Sequence, residues 1–247
     1  IKISYDIIVL NKVESTMLEA RKRVSSLSNN SWIFAHLQTA GKGRRGRAWI
    51  DPLGNFACTC VIFPKTSIDK FSLSSFTAAL SLYDSLEHFG NSNADISIKW
   101  PNDILLNGKK VAGILLETIA ISKNKIALSI GFGVNLISHP RTSELEESAY
   151  SPTSVLAETG ITVDPIELLN KLAFNFANYE ATLQVRGFSQ LRVLLLNRIH
   201  KLGDSIVVKT ANEIINGQFL DINLDGHLIL KTGGATRSIA AADVYFE

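Results

Sequence analysis

The sequence predicts a large domain of mixed strands and helices followed by a small β barrel, and three observations carry that prediction. Up to about Leu202, strand-like runs are interleaved with segments whose apolar residues recur at helical spacing. After Leu202 the texture changes to short strands separated by turn residues such as Asp225-Gly226 and Gly233-Gly234. The chain has 247 residues, 46% hydrophobic and 19% charged, enough to bury one large core plus a small module and unlike a disordered chain. The boundary is therefore placed at residues 1–202 and 203–247.

Ile3–Leu10 reads as a strand. A helix follows from Ser15 to about Ser26, and Thr16 and Glu19 have capping-box spacing. Trp32–Leu37 is a second strand and Asn55–Phe63, rich in β-branched and aromatic residues, a third. Leu73, Phe76, Leu80, Tyr83 and Leu86 recur at helical spacing and predict a helix over Ser72–Phe89. Ile96–Trp100 alternates as a strand. Asn107-Gly108 is the strongest hairpin signal, joining strands over Ile104–Leu106 and Lys109–Thr118. Ile126–Leu136 is a strand and the polar Ser138–Ser151 a loop. Helices are expected over Ser154–Glu158, Pro165–Leu183 and Phe188–His200. The barrel strands are read at Ser205–Lys209, Gly217–Ile222, His227–Lys231 and Thr236–Ala240.

The 25 Lys and Arg nearly balance 23 Asp and Glu, a formal net charge of +2 that argues against a dedicated nucleic-acid coat. The two cysteines, Cys58 and Cys60, are two residues apart and point to one face of a strand; they read as reduced buried thiols rather than a disulfide or a zinc site. No stretch reaches the roughly 18 apolar residues of a membrane span. The first residues do not form a signal peptide, and there is no initiator Met. The five histidines are scattered without ligand spacing, and no G-x-S-x-G elbow occurs.

One loop concentrates the charge that the average hides. Gln38–Arg47 holds Lys42, Arg44, Arg45 and Arg47 among Gly41, Gly43 and Gly46. Its G-x-G-x-x-G lacks the following helix that a dinucleotide site requires, because the chain runs on into Ala48–Gly54 and a strand. Glycines let a backbone wrap a ligand, and arginines present forks to phosphate oxygens. Such a loop is expected to be mobile alone and ordered by an anion; a solvated basic loop or nucleic-acid patch is the alternative.

Two further segments strengthen the first reading. Lys99-Trp100-Pro101-Asn102-Asp103 sits at a strand end, where an Asn can orient a ligand and an Asp can hold Mg²⁺. Just past the tight turn, Lys110 points inward from an apolar strand, which is costly without a partner, whereas Lys109 faces the other way. Gly131 and Gly133 within a strand suggest close approach by a ligand.

In this order, Glu14-Ser15-Thr16, Gln38–Trp49, Lys99–Asp103, Lys110–Leu115, Gly131–Asn135 and the terminal barrel resemble the biotin protein ligases, the biotin–[biotin carboxyl carrier protein] ligases. The resemblance implies an α+β catalytic domain related to class II aminoacyl-tRNA synthetases and lipoate ligases, then an SH3-like barrel. It implies the ligase-only class, without an N-terminal DNA-binding domain, and thus no DNA partner, no membrane, a cytoplasmic location and room for a homodimer. The implied substrates are biotin and ATP with Mg²⁺, and the implied partner is the biotin carboxyl carrier protein of acetyl-CoA carboxylase and similar carboxylases. Biotin would be activated to biotinyl-5′-AMP and then passed to a carrier lysine.

By position, the resemblance assigns Ser15, Thr16, Gln38, Gly41, Lys42, Gly43, Arg44, Lys110 and Gly113 to biotin. It assigns Arg44, Arg45, Arg47, Trp49, Asn102, Lys110 and Asn135 to ATP and the adenylate, and Asp103 to Mg²⁺. Lys110 and Arg44 become the catalytic pair. Three positions depart from the family: Lys42 stands where an Arg is usual, Met17 where an Asn is usual, and Ala241-Ala242-Asp243-Val244 where many members have Gly-Glu-Val. A lysine offers a point charge and no fork. Two rival readings remain at this level: lipoate or octanoyl transfer on the same scaffold, and a nucleic-acid-binding module.

Overall fold

The computed structural model describes residues 5–64, 68–90, 94–123, 125–141, 150–210, 212–240 and 243–245. Its centre is a mixed seven-stranded sheet built from β1 (Asp6–Leu10), β2 (Ser31–Ala35), β5 (Phe56–Ile62), β6 (Ile96–Lys99), β7 (Asp103–Leu106), β8 (Lys109–Ser122) and β9 (Lys125–Val134), in the order β1-β2-β5-β9-β8-β7-β6. Only the β1–β2 pair is parallel. Between β2 and β5, the two-residue strands β3 (Gly41–Lys42) and β4 (Ala48–Trp49) form a separate small hairpin.

Strand alternation sorts the apolar side chains onto two faces. Trp32, Phe34, Phe56, Cys58, Cys60 and Phe132 join the large core together with α2 (Ser74–Phe89) and α4 (Pro165–Arg186). Ile33, Val61 and Ala127 face the other way and pack on Ala20 and Val24 of the segment containing α1 (Thr16–Arg23). The two thiols are free and fully buried, as the spacing predicts. Two more helices complete this part, α3 (Val155–Thr159) and α5 (Phe188–Leu196).

The C-terminal part is an antiparallel sheet of β10 (Ser205–Lys209), β11 (Ile214–Ile222), β12 (Leu228–Thr232), β13 (Ala235–Ile239) and β14 (Asp243–Tyr245), ordered β13-β12-β11-β10-β14. It shares the large core, to which Ile206, Phe219 and Leu230 contribute. Trp100 is buried and its indole N–H donates to the Gly226 carbonyl at 3.1 Å, so this aromatic pins the two parts together. Arg192 of α5 adds a bond to the Asp221 carboxylate. Among the described residues, no helix is long and apolar enough to cross a membrane.

The Asn107-Gly108 hairpin forms as expected, with positive φ at both residues (51° and 74°). Five local expectations change. Ser15, not Thr16, is the N-cap residue of α1, and it makes no side-chain cap bond; Glu19 instead pairs with Lys22 and Arg23, so no capping box exists. A 3₁₀ turn over Ile68–Leu73 precedes α2. The strand β11 begins three residues earlier than the sequence suggests, and α5 ends at Leu196 rather than His200. The closing strand β14 was not expected at all, because three residues are too few to show a period.

Candidate active site

The β3–β4 hairpin leans over the middle of the sheet and roofs a cleft of about 280 Å³. Its tip is a 3₁₀ turn over Arg44–Gly46, with left-handed backbone at Arg45 (φ 58°) and Gly46 (φ 77°) and closed by Gly43 N–H to Arg47 C=O at 2.7 Å. The turn sends neighbouring cations different ways. Arg44 enters the cleft and donates to the Asn102 side-chain oxygen at 3.1 Å. Asn102 is itself fixed by donating to the Ile114 carbonyl at 2.7 Å. Lys42, Gly43 and Arg47 also line the cleft, whereas Arg45 is exposed and outside its lining.

One end of the cleft is a chain of hydrogen bonds between neutral side chains, ending on a carboxylate. Buried Thr59 of β5 donates to the Thr16 hydroxyl at 2.8 Å. Thr16 donates from both its hydroxyl (3.1 Å) and its backbone N–H (2.8 Å) to Gln38 Oε1. A backbone N–H can only donate, so the amide oxygen must face Thr16 and the amide nitrogen must face the other way. There Gln38 Nε2 donates to Asp51 Oδ2 at 3.4 Å. Burial raises the Asp51 carboxyl to about 6, partly offset by its bonds from Gln38. Ser15 and Met17 line the same end.

The other end is held by charge. Lys110 Nζ lies 2.8 Å from Asp103 Oδ1, and Lys99 Nζ lies 3.8 Å from Asp103 Oδ2. Burial pushes the Asp103 carboxyl up, but Lys110, Lys99 and Arg44 outweigh that and hold it below the usual carboxylate range. The β7–β8 register slips between Ile104 and Leu105, so that Lys110 opposes Leu105 while Ala112 opposes Ile104. This bulge lets Lys110 and Gly113 turn to the same side: a Cβ on Gly113 would lie 3.6 Å from both Lys110 Cε and Asp103 Oδ1. Asn135 is buried and donates to the Thr153 carbonyl at 2.9 Å. The Trp49 ring stands 5.9 Å from the Lys110 ammonium.

The cleft thus gathers Ser15, Thr16, Gln38, Lys42, Gly43, Arg44, Arg47, Trp49, Asn102, Asp103, Lys110, Gly113 and Asn135 from distant segments. Arg45 and Gly41 are not brought into its lining. The glycines also have a packing role that the sequence did not suggest. A Cβ on Gly133 would sit 2.4 Å from the Trp49 indole, on Gly131 3.0 Å from Met17 Sδ, and on Gly41 2.7 Å from the Trp49 carbonyl. Their missing side chains make room for the protein's own Trp49 and Met17, which form the cleft walls. Asp103 has a further role that its motif did not suggest: it is the shared counter-charge of the Lys110 and Lys99 ammonium groups. Among the described residues no cluster of three or more His, Cys, Asp or Glu is arranged to hold a metal.

Sequence reasoning missed Asp51, Thr59 and the ion-pair role of Lys99. Asp51 precedes a proline in a turn-rich stretch and reads as a loop residue; only the folded hairpin carries it to Gln38. Lys99 stood within a quoted motif, and its strand alternation with buried Ile98 gave no sign of burial for both.

A sequence profile of the Biotin/lipoate A/B protein ligase family matches residues 8–135, and one of the Biotin protein ligase C terminal domain matches residues 201–247. The chain is 43% identical over 238 residues to a Biotin--[acetyl-CoA-carboxylase] ligase of Paracoccus denitrificans, covering 96% of this chain and 99% of that protein. It is 29% identical to the Bifunctional ligase/repressor BirA of Bacillus subtilis, over 91% of this chain and 70% of that protein. Among solved structures, the biotin protein ligase of Aquifex aeolicus in complex with biotin and ATP superposes with a TM-score of 0.82 at 23% identity, covering 97% of each chain. The biotin protein ligase of Leishmania major in complex with biotinyl-5-AMP gives 0.66 at 23% identity, covering 96% of this chain and 99% of that one.

Proposed function

This chain belongs to the Biotin/lipoate A/B protein ligase family, and from that premise we propose how its cleft carries out an ATP-dependent biotin protein ligase reaction. Biotin is activated to biotinyl-5′-AMP, and the acyl group then passes to a lysine of the biotin carboxyl carrier domain of acetyl-CoA carboxylase or a similar carboxylase. The reading rests above all on one observation: Arg44 and Lys110, from a loop and a strand far apart in sequence, converge beside the Thr16–Gln38 pair in a single cleft. The match to a biotin-specific C-terminal domain favours biotin over lipoate. That match also supports dividing the chain at 202/203.

In the first step a biotin carboxylate oxygen bonds to the α-phosphorus of ATP, and pyrophosphate leaves. Negative charge builds on the phosphate oxygens as this happens. Preformed cations stabilise such charge most when they need not move, and Asp103 holds the Lys110 ammonium in place before substrate arrives. Arg44, oriented by Asn102, supplies a planar fork for carboxylate and phosphate oxygens together. In the second step a carrier lysine amine bonds to the acyl carbon, and AMP leaves with the anhydride oxygen. The Thr16–Gln38 end, with Ser15, receives the ureido ring, while Trp49 and Asn135 border the nucleotide. Magnesium, when bound, would neutralise the triphosphate charge, and Asp103 is the carboxylate at that end of the cleft that could contact it. The reaction belongs to the cytoplasm, where ATP and carboxylases meet.

Mass spectrometry of a carrier domain incubated with this protein, biotin, ATP and Mg²⁺ tests the reading. The expected result is a biotinylated carrier with pyrophosphate released only when biotin is present. Release with lipoate and none with biotin would overturn it.

A further inference from the structure

Asp51 is a buried carboxylate with no cation beside it among the described residues. Its relative exposure is 7%, and one of its oxygens accepts no hydrogen bond among the described residues. Burial and the bonds from Gln38 account for its raised pKa, with no charged neighbour contributing. An uncompensated buried charge is expensive, so its position calls for a reason. That reason lies in the direction of the hydrogen bonds. Thr59 donates to Thr16, Thr16 to Gln38, and Gln38 to Asp51. Every donor points the same way, and the chain ends on the one group that only accepts when ionised.

We infer that Asp51 is a positioning residue for biotin recognition: by accepting from Gln38 Nε2 it locks the amide orientation, and so sets which Thr16 and Gln38 atoms the bound ring meets. The inference rests on the ligase reading above for the identity of the ring. Asp51 itself is outside the cleft lining. It sits two residues past Trp49, so the β3–β4 hairpin and the Gln38 amide are linked through it.

Ionised Asp51 can only accept; protonated Asp51 has lost its charge and carries a competing O–H. Because its pKa lies near 6, ring recognition is complete above that value and weakens as the pH falls through it. Biotin affinity, measured by calorimetry from pH 5 to 8.5, tests this on the intact chain. The wild type should tighten as the pH rises and level off above about 7. Asp51→Ala should bind biotin about tenfold more weakly at pH 8, the size expected when a hydrogen bond to a charged acceptor is removed. Asp51→Asn, which keeps an acceptor and cannot ionise, should recover most of that loss and show no inflection near pH 6. In steady state the loss should fall on the KM for biotin, leaving kcat and the KM for ATP unchanged.

Asp51→Ala binding like the wild type, or Asp51→Asn retaining the wild-type pH dependence, would overturn the inference. If circular dichroism shows Asp51→Ala unfolded, the pH profile of Asp51→Asn decides alone. Wild-type protein that binds no biotin at any pH would overturn the ligase reading instead, and this inference with it.

Discussion

At one end of the cleft, Thr59, Thr16 and Gln38 are joined by neutral donors and acceptors leading to a single carboxylate with no cation near it among the described residues. At the other end, Lys110, Lys99 and Arg44 surround a single carboxylate, and cations are in excess. Both ends stand on the same strand. Gly131 and Gly133 of β9 lie two residues apart on one face, roughly 7 Å along the strand, the first under Met17 and the second under Trp49. One sheet thus carries two kinds of recognition side by side. The neutral end suits an uncharged ring, which is read by donor and acceptor placement. The charged end suits oxygen atoms that become more negative as the reaction proceeds, where fixed cations have most effect.

The most severe way to separate the two ends is Lys110→Ala. Pyrophosphate release should fall by about 10²–10³, the usual loss when one preorganised group aimed at developing charge is removed. Biotin binding should change by less than tenfold, since the ring end is untouched. Near-normal release would defeat the role given to Lys110, and a parallel collapse of biotin binding would show that the two ends are not separable.

Asp103→Asn attacks the same end from the other side, leaving two ammonium groups without their counter-charge. The cost in folding stability should be about 2 kcal/mol, the size of a lost charged hydrogen bond. The pH behaviour follows from the lowered pKa. Asp103 contributes its stability above the unfolded carboxylate value near 3.9 and loses it only as the pH drops through the still lower folded value. Urea unfolding should therefore show a constant gap between wild type and variant from pH 5 to 8, closing only in stronger acid. A gap that closes near pH 6 would mean that another group carries the effect.

The two ends also differ in how legible they were in the sequence. The charged end announced itself: four cations in Lys42–Arg47, an inward lysine after an Asn-Gly turn, and Asn102-Asp103 at a strand end. Unusual residues in apolar or glycine-rich settings are visible without coordinates. Even so, the bulge that turns Lys110 toward the cleft and the double ion pair around Asp103 depend on register, which no local pattern encodes. At the neutral end Ser15, Thr16 and Gln38 came only through the resemblance, and Thr59 and Asp51 not at all. Thr59 is an ordinary strand residue in sequence; its meaning comes from standing across the sheet from Gly131 and beneath the start of α1. The large elements were readable because apolar periodicity is a local signal. The failures lay in caps, short strands and long-range partners, where tertiary contacts decide.

Arg44→Ala gives a smaller effect. Arg44 reaches across from the hairpin to Asn102, so it bridges the roof and floor of the cleft. Dissociation of biotinyl-adenylate, followed in a chase with unlabelled adenylate, should speed up by about tenfold, as for the loss of a charge-assisted bond. Unchanged dissociation would count against this placement. Added salt should speed release from the wild type and have less effect on the variant, because the screened contact is already gone.

Thr59→Val tests the neutral end at its far terminus and should have the least effect. The substitution keeps the shape and removes one hydroxyl that is buried and donates only to Thr16. Thr16 still donates to Gln38, so the chain loses its first link and keeps the two nearest the ring. A neutral hydrogen bond contributes about 1 kcal/mol, so biotin affinity should fall by about threefold to fivefold, with ATP affinity unchanged. The size of the effect is informative because the chain is directional. If the bonds reinforce one another, removing the first weakens the last, and the loss in Thr59→Val should shrink when Asp51 is already replaced by Asn. Strict additivity in that double-mutant cycle would mean that four residues hold the ring end independently, and the contrast between a neutral end joined as a directional chain and a charged end gathered on one shared carboxylate would have to be abandoned.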